Sequence, residues 1–262
     1  TDYNQMTDLS KDLRAWCMAQ LPIFRLQTRL SKQAQDGTHK FLWDLGDHKT
    51  IESVIIPAAL QEKDDIDGEP VDGARFAGSP TQDKDLTSDR WKRLTACISS
   101  QVGCAMGCKF CLTGVQGLDR HLEVHEIVTQ VHELRMLAPI TNIVFMGMGE
   151  PLANYRQVIS ATEILMDDLG FDISRRRVTV STSGLVPQMM KLAEETNCAL
   201  AVSLHAPTDE LRDQLVPINR KHKIAELLDA CWYYLERQNA RSITFEYVML
   251  DGINDQLEHA RQ

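Results

Sequence analysis

The chain has 262 residues, 43% of them hydrophobic and 25% charged, which is typical of a globular protein that buries a large core. It shows no secretory signal and no apolar run long enough to span a bilayer, so we expect neither a secreted nor a membrane protein. Its seven cysteines, an odd number and partly clustered, favour metal ligands in a reducing compartment over a disulfide scaffold, and we expect a cytoplasmic protein.

The net charge of −9 is concentrated in one stretch of the chain. Residues 61–89 carry nine acidic and three basic residues, which accounts for −6 of that charge. The stretch has almost no apolar pattern and contains several glycine and proline turn signals, as a long mobile loop would. We therefore predict an acidic flexible insertion over 61–90, between a partial N-terminal accessory domain over 1–60 and a larger core over 91–262.

Beyond residue 94 the predicted elements alternate between strand and helix. Short apolar runs predict five strands, at Leu94–Ser100, Asn142–Met146, Arg177–Ser181, Ala199–Leu204 and Ile243–Met249. Helical spacing predicts helices across 122–134, 156–169, 187–195 and 224–238, and another that begins near Asp255. This alternation implies an α/β fold of parallel β/α units, either a doubly wound sheet or a barrel, in which chemistry gathers at the carboxyl ends of the strands.

Three cysteines, Cys104, Cys108 and Cys111, have the spacing C-x3-C-x2-C just after the first predicted strand of the core. Three thiolates can hold three irons of a four-iron cluster and leave the fourth iron open to a small molecule. A structural zinc site usually needs four ligands, and an electron carrier would supply a fourth cysteine with its own spacing, whereas Cys198 and Cys231 are single and distant. The spacing thus favours an open iron–sulfur site over zinc or a chance grouping of buried cysteines.

Polar residues also follow the other predicted strands. Gly149 would let the backbone approach a ligand closely, and the carboxylate of Glu150 could accept hydrogen bonds from an ammonium group. Taken singly, Ser181 suits a turn, a lone histidine such as His205 is more often structural, and Cys97 is by default a buried thiol. Together they indicate a site, because successive parallel strands deliver them to the end that carries the cysteine loop.

These motifs together resemble those of the RlmN/Cfr family of radical S-adenosylmethionine (SAM) methyltransferases, which methylate adenine in ribosomal RNA. The similar segments are Cys97–Cys104, the cysteine loop, Met146–Pro151, Ser181–Gly184, Ser203–Pro207, Val216–Asn219 and Glu246–Asn254. In addition, Asp36–Pro57 resembles the end of the family's small N-terminal accessory domain. The resemblance implies a partial (β/α)6 radical SAM barrel, truncated here before its last strand, beside that accessory domain.

The resemblance also implies a role for each matched position. Cys104, Cys108 and Cys111 would hold a [4Fe-4S] cluster, whose open iron binds SAM. Six further residues would contact SAM: Gly149, Glu150, Ser181, Ser203, Leu204 and His205. Cys97 would help to remove a proton from the target base and would resolve a covalent adduct, and Glu52 would act as a proton acceptor.

The reaction that the resemblance implies is transfer of a methyl group to C2 of an adenosine in 23S rRNA, and in some family members in tRNA, through a methylated cysteine. Because C2 is neither acidic nor nucleophilic, a polar methyl transfer is unavailable and a radical route is needed. Two alternatives stay open. One is methylation at C8, which is less favoured because Pro151 follows Gly149-Glu150 directly. The other is a noncatalytic iron–sulfur module that binds RNA.

The implied partners are 23S rRNA, tRNA for some members, and an electron donor such as flavodoxin; we expect a monomer and no membrane partner. The family's methyl-carrying cysteine, sixth strand and one SAM-contacting asparagine would lie beyond Gln262. Cys17, Cys198 and Cys231 match none of these positions, so we interpret them as structural. We therefore expect these 262 residues alone to be inactive in methyl transfer.

Overall fold

The computed structural model describes residues 2–59 and 91–262. The helices are α1 (Lys11–Gln20), α2 (Leu112–Gln116), α3 (Val124–Leu137), α4 (Tyr155–Met166), α5 (Val186–Glu195), α6 (Asp209–Leu215) and α7 (Ile224–Gln238). The strands are β1 (Gln27–Gln33), β2 (His39–Asp44), β3 (Thr50–Ala59), β4 (Trp91–Cys97), β5 (Gln101–Gly103), β6 (Leu118–His121), β7 (Asn142–Phe145), β8 (Val178–Thr182), β9 (Ala199–Ser203) and β10 (Thr244–Glu246). The predicted acidic insertion over 61–90 lies outside the described residues.

Eight of these strands form one sheet, in the order β1-β2-β3-β4-β7-β8-β9-β10. The pairs from β1 to β4 are antiparallel, whereas β4, β7, β8, β9 and β10 pair in parallel. The parallel strands follow one another in chain order, without the reversal that marks a doubly wound sheet, and this is how a β/α barrel is wound. The predicted α/β fold is thus confirmed. Of the two arrangements that the sequence left open, a doubly wound sheet and a barrel, the strand order favours the partial barrel.

The parallel strands have an apolar outer face and a more polar inner face. The outer face packs against the helices in a continuous buried core, whose members include Ile143, Phe145, Val180, Val202, Leu134, Leu165, Met189, Leu192, Leu227 and Tyr234. Successive side chains of a strand point to opposite faces, so the residues between these apolar positions line the inside of the barrel. The register aligns Cys97 with Val54 on one side and with Val144 on the other. Cys97 therefore belongs to the inner face.

The N-terminal strands extend the same sheet. β3 pairs with β4, and β2 and β3 contribute Phe41, Trp43, Ile51 and Ile55 to the same apolar core. β1 is exposed along its whole length. In the part of the chain that the structure describes, no helix is long and apolar enough to cross a bilayer.

The last predicted elements are shorter than expected. β10 occupies only the first half of the predicted strand. The helix expected near Asp255 is instead a series of turns that ends in one 3-10 turn, His259–Arg261. The side chain of Asn254 explains the difference, since its amide donates to the carbonyl oxygens of His205 and Val248 and its oxygen accepts from the Leu250 N–H. These bonds hold the chain after β10 in a compact turn against the end of β9.

A buried ion pair joins the N-terminal strands to the core. The guanidinium of Arg120 makes two hydrogen bonds to Glu126, at 2.8 and 2.7 Å, and a third to Asp47 at 2.9 Å. The side chain of Glu126 is 6% exposed and that of Arg120 is 31% exposed. Because Asp47 lies between β2 and β3 and Glu126 lies on α3, Arg120 bridges the two parts of the molecule.

Arg120→Ala should lower the free energy of unfolding by about 2 kcal/mol, because it leaves the buried Glu126 carboxylate without its charged partner. Lys49→Ala is the matched control, since Lys49 pairs with Asp119 on the same side of the molecule but both side chains are more than 40% exposed. Loss of such an exposed pair should cost less than about 1 kcal/mol. Urea unfolding of the two variants measures the difference, and equal losses would contradict the larger contribution of the buried Arg120–Glu126 pair.

Candidate active site

The carboxyl ends of the parallel strands bring most of the predicted site residues together. Cys97 ends β4, Ser181 lies near the end of β8, and Ser203 ends β9. Gly149 and Glu150 follow β7 closely in the chain. Parallel neighbours end at the same edge of the sheet, so these residues share one rim of the barrel with the loop that carries the three cysteines.

The cysteine loop is anchored at its stem and at its middle. It leaves β5 at Gly103 and is held to α6 by a hydrogen bond of 3.0 Å from the Lys109 N–H to the Leu215 carbonyl oxygen. Cys104 is buried, and Cys108 and Cys111 are partly exposed, all three as free thiols. Burial, followed by the proximity of Cys104 and Cys111, raises the pKa of Cys108 to about 12. Burial also raises the pKa of Cys104, to which Glu150 and Cys111 contribute. The three thiols therefore lie within one another's electrostatic field.

The chemistry of this donor set fits an iron–sulfur cluster better than a single metal ion. Among the described residues, no three His, Cys, Asp or Glu side chains stand close enough together to hold one ion. Structural zinc needs four ligands that converge on one point, whereas each thiolate of a cluster binds a different iron and the sulfurs can stand farther apart. Thiols with raised pKa values also need a bound cation to remain as thiolates at neutral pH. The loop thus suits a cluster with one iron left free of protein.

Two glycines let the loop after β7 lie directly against the end of β4. The N–H of Gly147 donates to the Ile98 carbonyl oxygen at 3.0 Å, and a Cβ at Gly147 would lie 2.7 Å from that same oxygen. Gly149 has a φ of 103°, and a Cβ there would lie 2.6 Å from the Cβ of Gln101. Any residue with a Cβ at either position would displace the neighbouring segment, so only glycine fits there.

Gln101 is a site residue to which the sequence assigned no role. Its side-chain oxygen accepts from the Glu150 N–H at 2.7 Å, and its amide nitrogen lies 2.9 Å from Nδ1 of His121. Gln101 is wholly buried beside Gly149. It therefore fixes the backbone of the Gly149-Glu150 pair, and only its position in the run that precedes Cys104 could have signalled this.

The carboxylate of Glu150 joins the loops that follow β7 and β8. It accepts from both the N–H and the hydroxyl of Ser183 at 2.8 Å, and from the Leu152 N–H at 3.1 Å. Glu150 is 3% exposed, and this burial raises its pKa. The sequence predicts that this carboxylate faces an ammonium group; in the structure its hydrogen bonds hold the two strand ends at a fixed separation.

Glu246 on β10 is a second site residue that sequence reasoning missed. Its carboxylate accepts hydrogen bonds from the hydroxyl of Ser181 at 3.1 Å and from that of Ser203 at 2.9 Å. The pKa of Cys97 is raised to about 12, first by burial and further by the negative charge of Glu246, while a bond from the Met146 N–H lowers it. Glu246 thus bonds to two of the predicted residues and its charge acts on a third, whereas the sequence had placed it only at the start of the similar segment Glu246–Asn254, without a role.

His205 connects the end of β9 to the cysteine loop. Its backbone is left-handed, with a φ of 58°, and its Nδ1 accepts from the Val248 N–H at 3.1 Å, which leaves the ring proton on Nε2. Its ring meets that of Phe110 edge-on, with centroids 4.7 Å apart. Burial and then the charge of Arg212 lower the pKa of His205 to about 4, so the ring is neutral at pH 7. The neighbouring Leu204 packs against the main apolar core.

Glu52 stands apart from the other predicted residues. It lies on β3, two residues from Val54, which is aligned with Cys97, so Glu52 is on the same face of the sheet as Cys97. Its carboxylate pairs with Nζ of Lys40 at 2.7 Å, and its side chain is 40% exposed. The structure therefore brings Glu52 to the correct face but holds its carboxylate in an ion pair on the neighbouring strand.

Comparisons with known proteins find a matching superfamily and two similar proteins. The sequence pattern of the radical SAM superfamily matches residues 98–262. A protein of Halorhodospira halophila (strain DSM 244 / SL1) described as "Dual-specificity RNA methyltransferase RlmN" is 47% identical over 264 residues, which cover 100% of this chain and 65% of that protein. The solved structure of a radical SAM methyltransferase from Sphaerobacter thermophilus has a TM-score of 0.79 and 40% identity, and the match covers 100% of this chain and 69% of that one. The chain thus spans about two thirds of the length of these relatives.

The neutral, buried state of His205 predicts that stability falls in mild acid. The unfolded histidine titrates near its usual pKa of about 6.5, so between that value and the folded pKa of about 4 the unfolded chain binds more protons than the folded chain. The contribution is complete above pH 6.5 and is lost as the pH falls towards 4. We expect it to amount to about 2 kcal/mol between pH 7 and pH 5.

The measurement is urea unfolding of the chain at several pH values, beside His205→Asn, because asparagine tolerates the left-handed backbone at this position. The unsubstituted chain should lose about 2 kcal/mol more than His205→Asn between pH 7 and pH 5. His48→Asn is the control, since His48 is also left-handed but exposed. Parallel pH profiles for the unsubstituted chain and His205→Asn would refute the prediction.

Proposed function

We propose that this chain, which belongs to the radical SAM superfamily, is the catalytic core of an enzyme that methylates C2 of an adenosine in 23S rRNA, and in tRNA as well, through a methylated cysteine. The observation that carries the proposal is the position of three free thiols beside four strand ends that converge on one rim of the barrel. The similarity to a dual-specificity RNA methyltransferase supports the choice of RNA as the substrate.

A [4Fe-4S] cluster and SAM are the cofactors of this superfamily, and we assign the cluster to Cys104, Cys108 and Cys111. When bound, the cluster and SAM supply a 5′-deoxyadenosyl radical, which can abstract a hydrogen atom from an unactivated carbon. Electrons would come from a reduced carrier such as flavodoxin. We also propose that the protein acts in the cytoplasm as a monomer.

The polar residues on the rim are suited to bind SAM. The hydroxyl groups of Ser181 and Ser203 both donate to Glu246, so their free lone pairs remain available to accept from the ribose hydroxyls or the ammonium group of SAM. The neutral ring of His205 offers its Nε2 proton as a donor. Gly149 lets a ligand approach the backbone closely, and the bonds of Glu150 to Ser183 keep that backbone in place.

Proton transfer is assigned to Cys97 and Glu52. In the free protein the buried Cys97 keeps its proton, because its pKa is raised to about 12. To take a proton from the adenine ring, Cys97 must first pass its own proton to a base, and Glu52 on the same face of the sheet is the proposed acceptor. The ion pair of Glu52 with Lys40 would have to open for this step.

None of the remaining cysteines lies on a strand end or loop of the rim. Cys17 lies on α1 and Cys231 on α7, and Cys198 comes immediately before β9, at the amino end of the strand and so opposite the cysteine loop. The phenol of Tyr234 also donates to the backbone oxygen of Cys198 within the buried core. We therefore propose that these 262 residues alone cleave SAM without methylating RNA, since no cysteine among them is placed to carry the methyl group.

Anaerobic reconstitution with iron and sulfide should give about four irons per chain, because the three thiolates hold three irons of a four-iron cluster whose fourth iron has no protein ligand. Replacement of Cys104, Cys108 or Cys111 by alanine should abolish the cluster absorption. Cys97→Ala is the matched control, since Cys97 is an equally buried thiol seven residues before Cys104 and should leave the iron content unchanged.

Incubation of the reconstituted chain with SAM, a reductant and a 23S rRNA fragment separates the alternatives. The proposal expects 5′-deoxyadenosine without 2-methyladenosine. A cluster that never cleaves SAM would favour the noncatalytic RNA-binding module, and 8-methyladenosine would favour the C8 enzyme. Bound zinc without iron would refute the assignment of the cysteines, and 2-methyladenosine would show that Cys17, Cys198 or Cys231 carries the methyl group.

A further inference from the structure

Arg212 on α6 is a fully buried arginine that forms the meeting point of three loops at the rim. It has 0% exposure. Its guanidinium donates four hydrogen bonds: to the carbonyl oxygens of Ser183 at 2.7 Å, Ser203 at 3.0 Å and Leu204 at 3.0 Å, and to Oδ1 of Asn219 at 2.9 Å. Two of these loops carry the residues assigned to SAM, and all four acceptors are neutral.

The charge of Arg212 is not cancelled by a direct ion pair in the described part of the chain. The carboxylates of Asp209 and Asp213 act on this charge only through space, since both accept from Nδ2 of Asn219, and Asp213 also pairs with Lys223 at 2.8 Å. Burial lowers the pKa of Arg212 to about 10, so it remains a cation at neutral pH. A buried cation that contacts only neutral oxygens is costly, and an anion nearby would stabilise it.

The cysteine loop is where such an anion would form. Cys108 and Phe110 pack against a small buried cluster made by Ala206, Leu215 and Val216, which surrounds the end of α6. The N–H of Lys109, which follows Cys108 directly, donates to the carbonyl oxygen of Leu215 at 3.0 Å, and Leu215 lies on α6 three residues after Arg212. A four-iron cluster with three thiolates carries a net negative charge, and that charge grows by one electron when the cluster is reduced.

We propose that Arg212 is a positioning residue that fixes the ends of β8 and β9 against the cysteine loop and whose buried charge raises the reduction potential of the cluster. The inference rests on the cluster of the proposed function and adds a residue that the reaction itself does not touch. A nearby cation favours the more negative, reduced form of a cluster, because net charge is one of the factors that set its potential. The carbonyl bonds position the SAM-facing loops at the same time.

The two parts of this role can be separated by the choice of substitution. Arg212→Lys keeps the charge but cannot hold four acceptors in a planar fork. Arg212→Gln and Arg212→Met both remove the charge. The methionine variant is included because the glutamine variant buries an amide, which can itself destabilise the protein. A purely structural arginine predicts similar effects for all three variants, whereas a charge effect predicts that Arg212→Lys differs from the two neutral variants.

The test is a redox titration of the reconstituted chain with dithionite and mediators, in which electron paramagnetic resonance monitors the reduced cluster. Arg212→Gln and Arg212→Met should have about a tenfold lower ratio of reduced to oxidised cluster at a fixed potential, equivalent to a midpoint about 59 mV more negative for a one-electron couple. Arg212→Lys should stay close to the unsubstituted chain. All three should bind SAM more weakly in equilibrium titrations, because the carbonyl anchors are lost.

Arg135→Gln is the matched control. Arg135 also donates to a carbonyl oxygen, that of Phe171 at 2.9 Å, but on an exposed surface, and its loss should change neither the midpoint nor SAM binding. Equal midpoints for the unsubstituted, Gln and Met chains would overturn the inference and leave the proposed function intact. An equal shift for Lys, Gln and Met would overturn the charge effect. An unsubstituted chain that assembles no cluster would overturn both proposals.

Discussion

The contact between the end of β4 and the loop after β7 is the constraint on which the site depends. The parallel pairing of these two strands does not stop at Cys97, since the Ile98 N–H still donates to Val144, and the N–H groups of Ser100 and Gln101 then both donate to the carbonyl oxygen of Met148. The backbones can approach this closely only because Gly147 has no side chain. The chain that enters the cysteine loop is therefore fixed to the neighbouring strand before the first cysteine.

The other loops of the rim are held by charged groups, two negative and one positive. Glu150 and Glu246 are carboxylates that accept from serine hydroxyl and amide groups, and Arg212 is a cation that donates to carbonyl oxygens. Each charge is hydrogen-bonded yet not paired directly with an opposite charge among the described residues. Such groups are stable only if their partners stay in place, so they make the rim rigid, and they leave an electrostatic field inside it that a charged cofactor would meet.

The sequence reveals those features that are local in the chain. The strand–helix alternation follows from apolar runs such as Val178–Thr182. The cysteine motif can be recognised because its three cysteines lie within eight residues. The roles of Gln101, Glu246 and Arg212 could not be read, since their partners lie many residues away or across strands whose order no local pattern encodes. The exposed strand β1 shows no alternation of burial, and the helix expected near Asp255 is prevented by the side-chain bonds of Asn254.

The order of the strands has a consequence for how the protein reaches this structure. Among the described strands, each strand of the eight-stranded sheet pairs with the sheet strand that precedes it along the chain. The local β5–β6 pair is the one interruption of this order within 2–59 and 91–262. Each new strand can therefore add to an edge that already exists as the chain emerges from the ribosome, N-terminal end first. Most pairings also join strands that are near in sequence, which keeps the entropy of loop closure low. The sheet can grow in one direction during synthesis, without waiting for a distant partner.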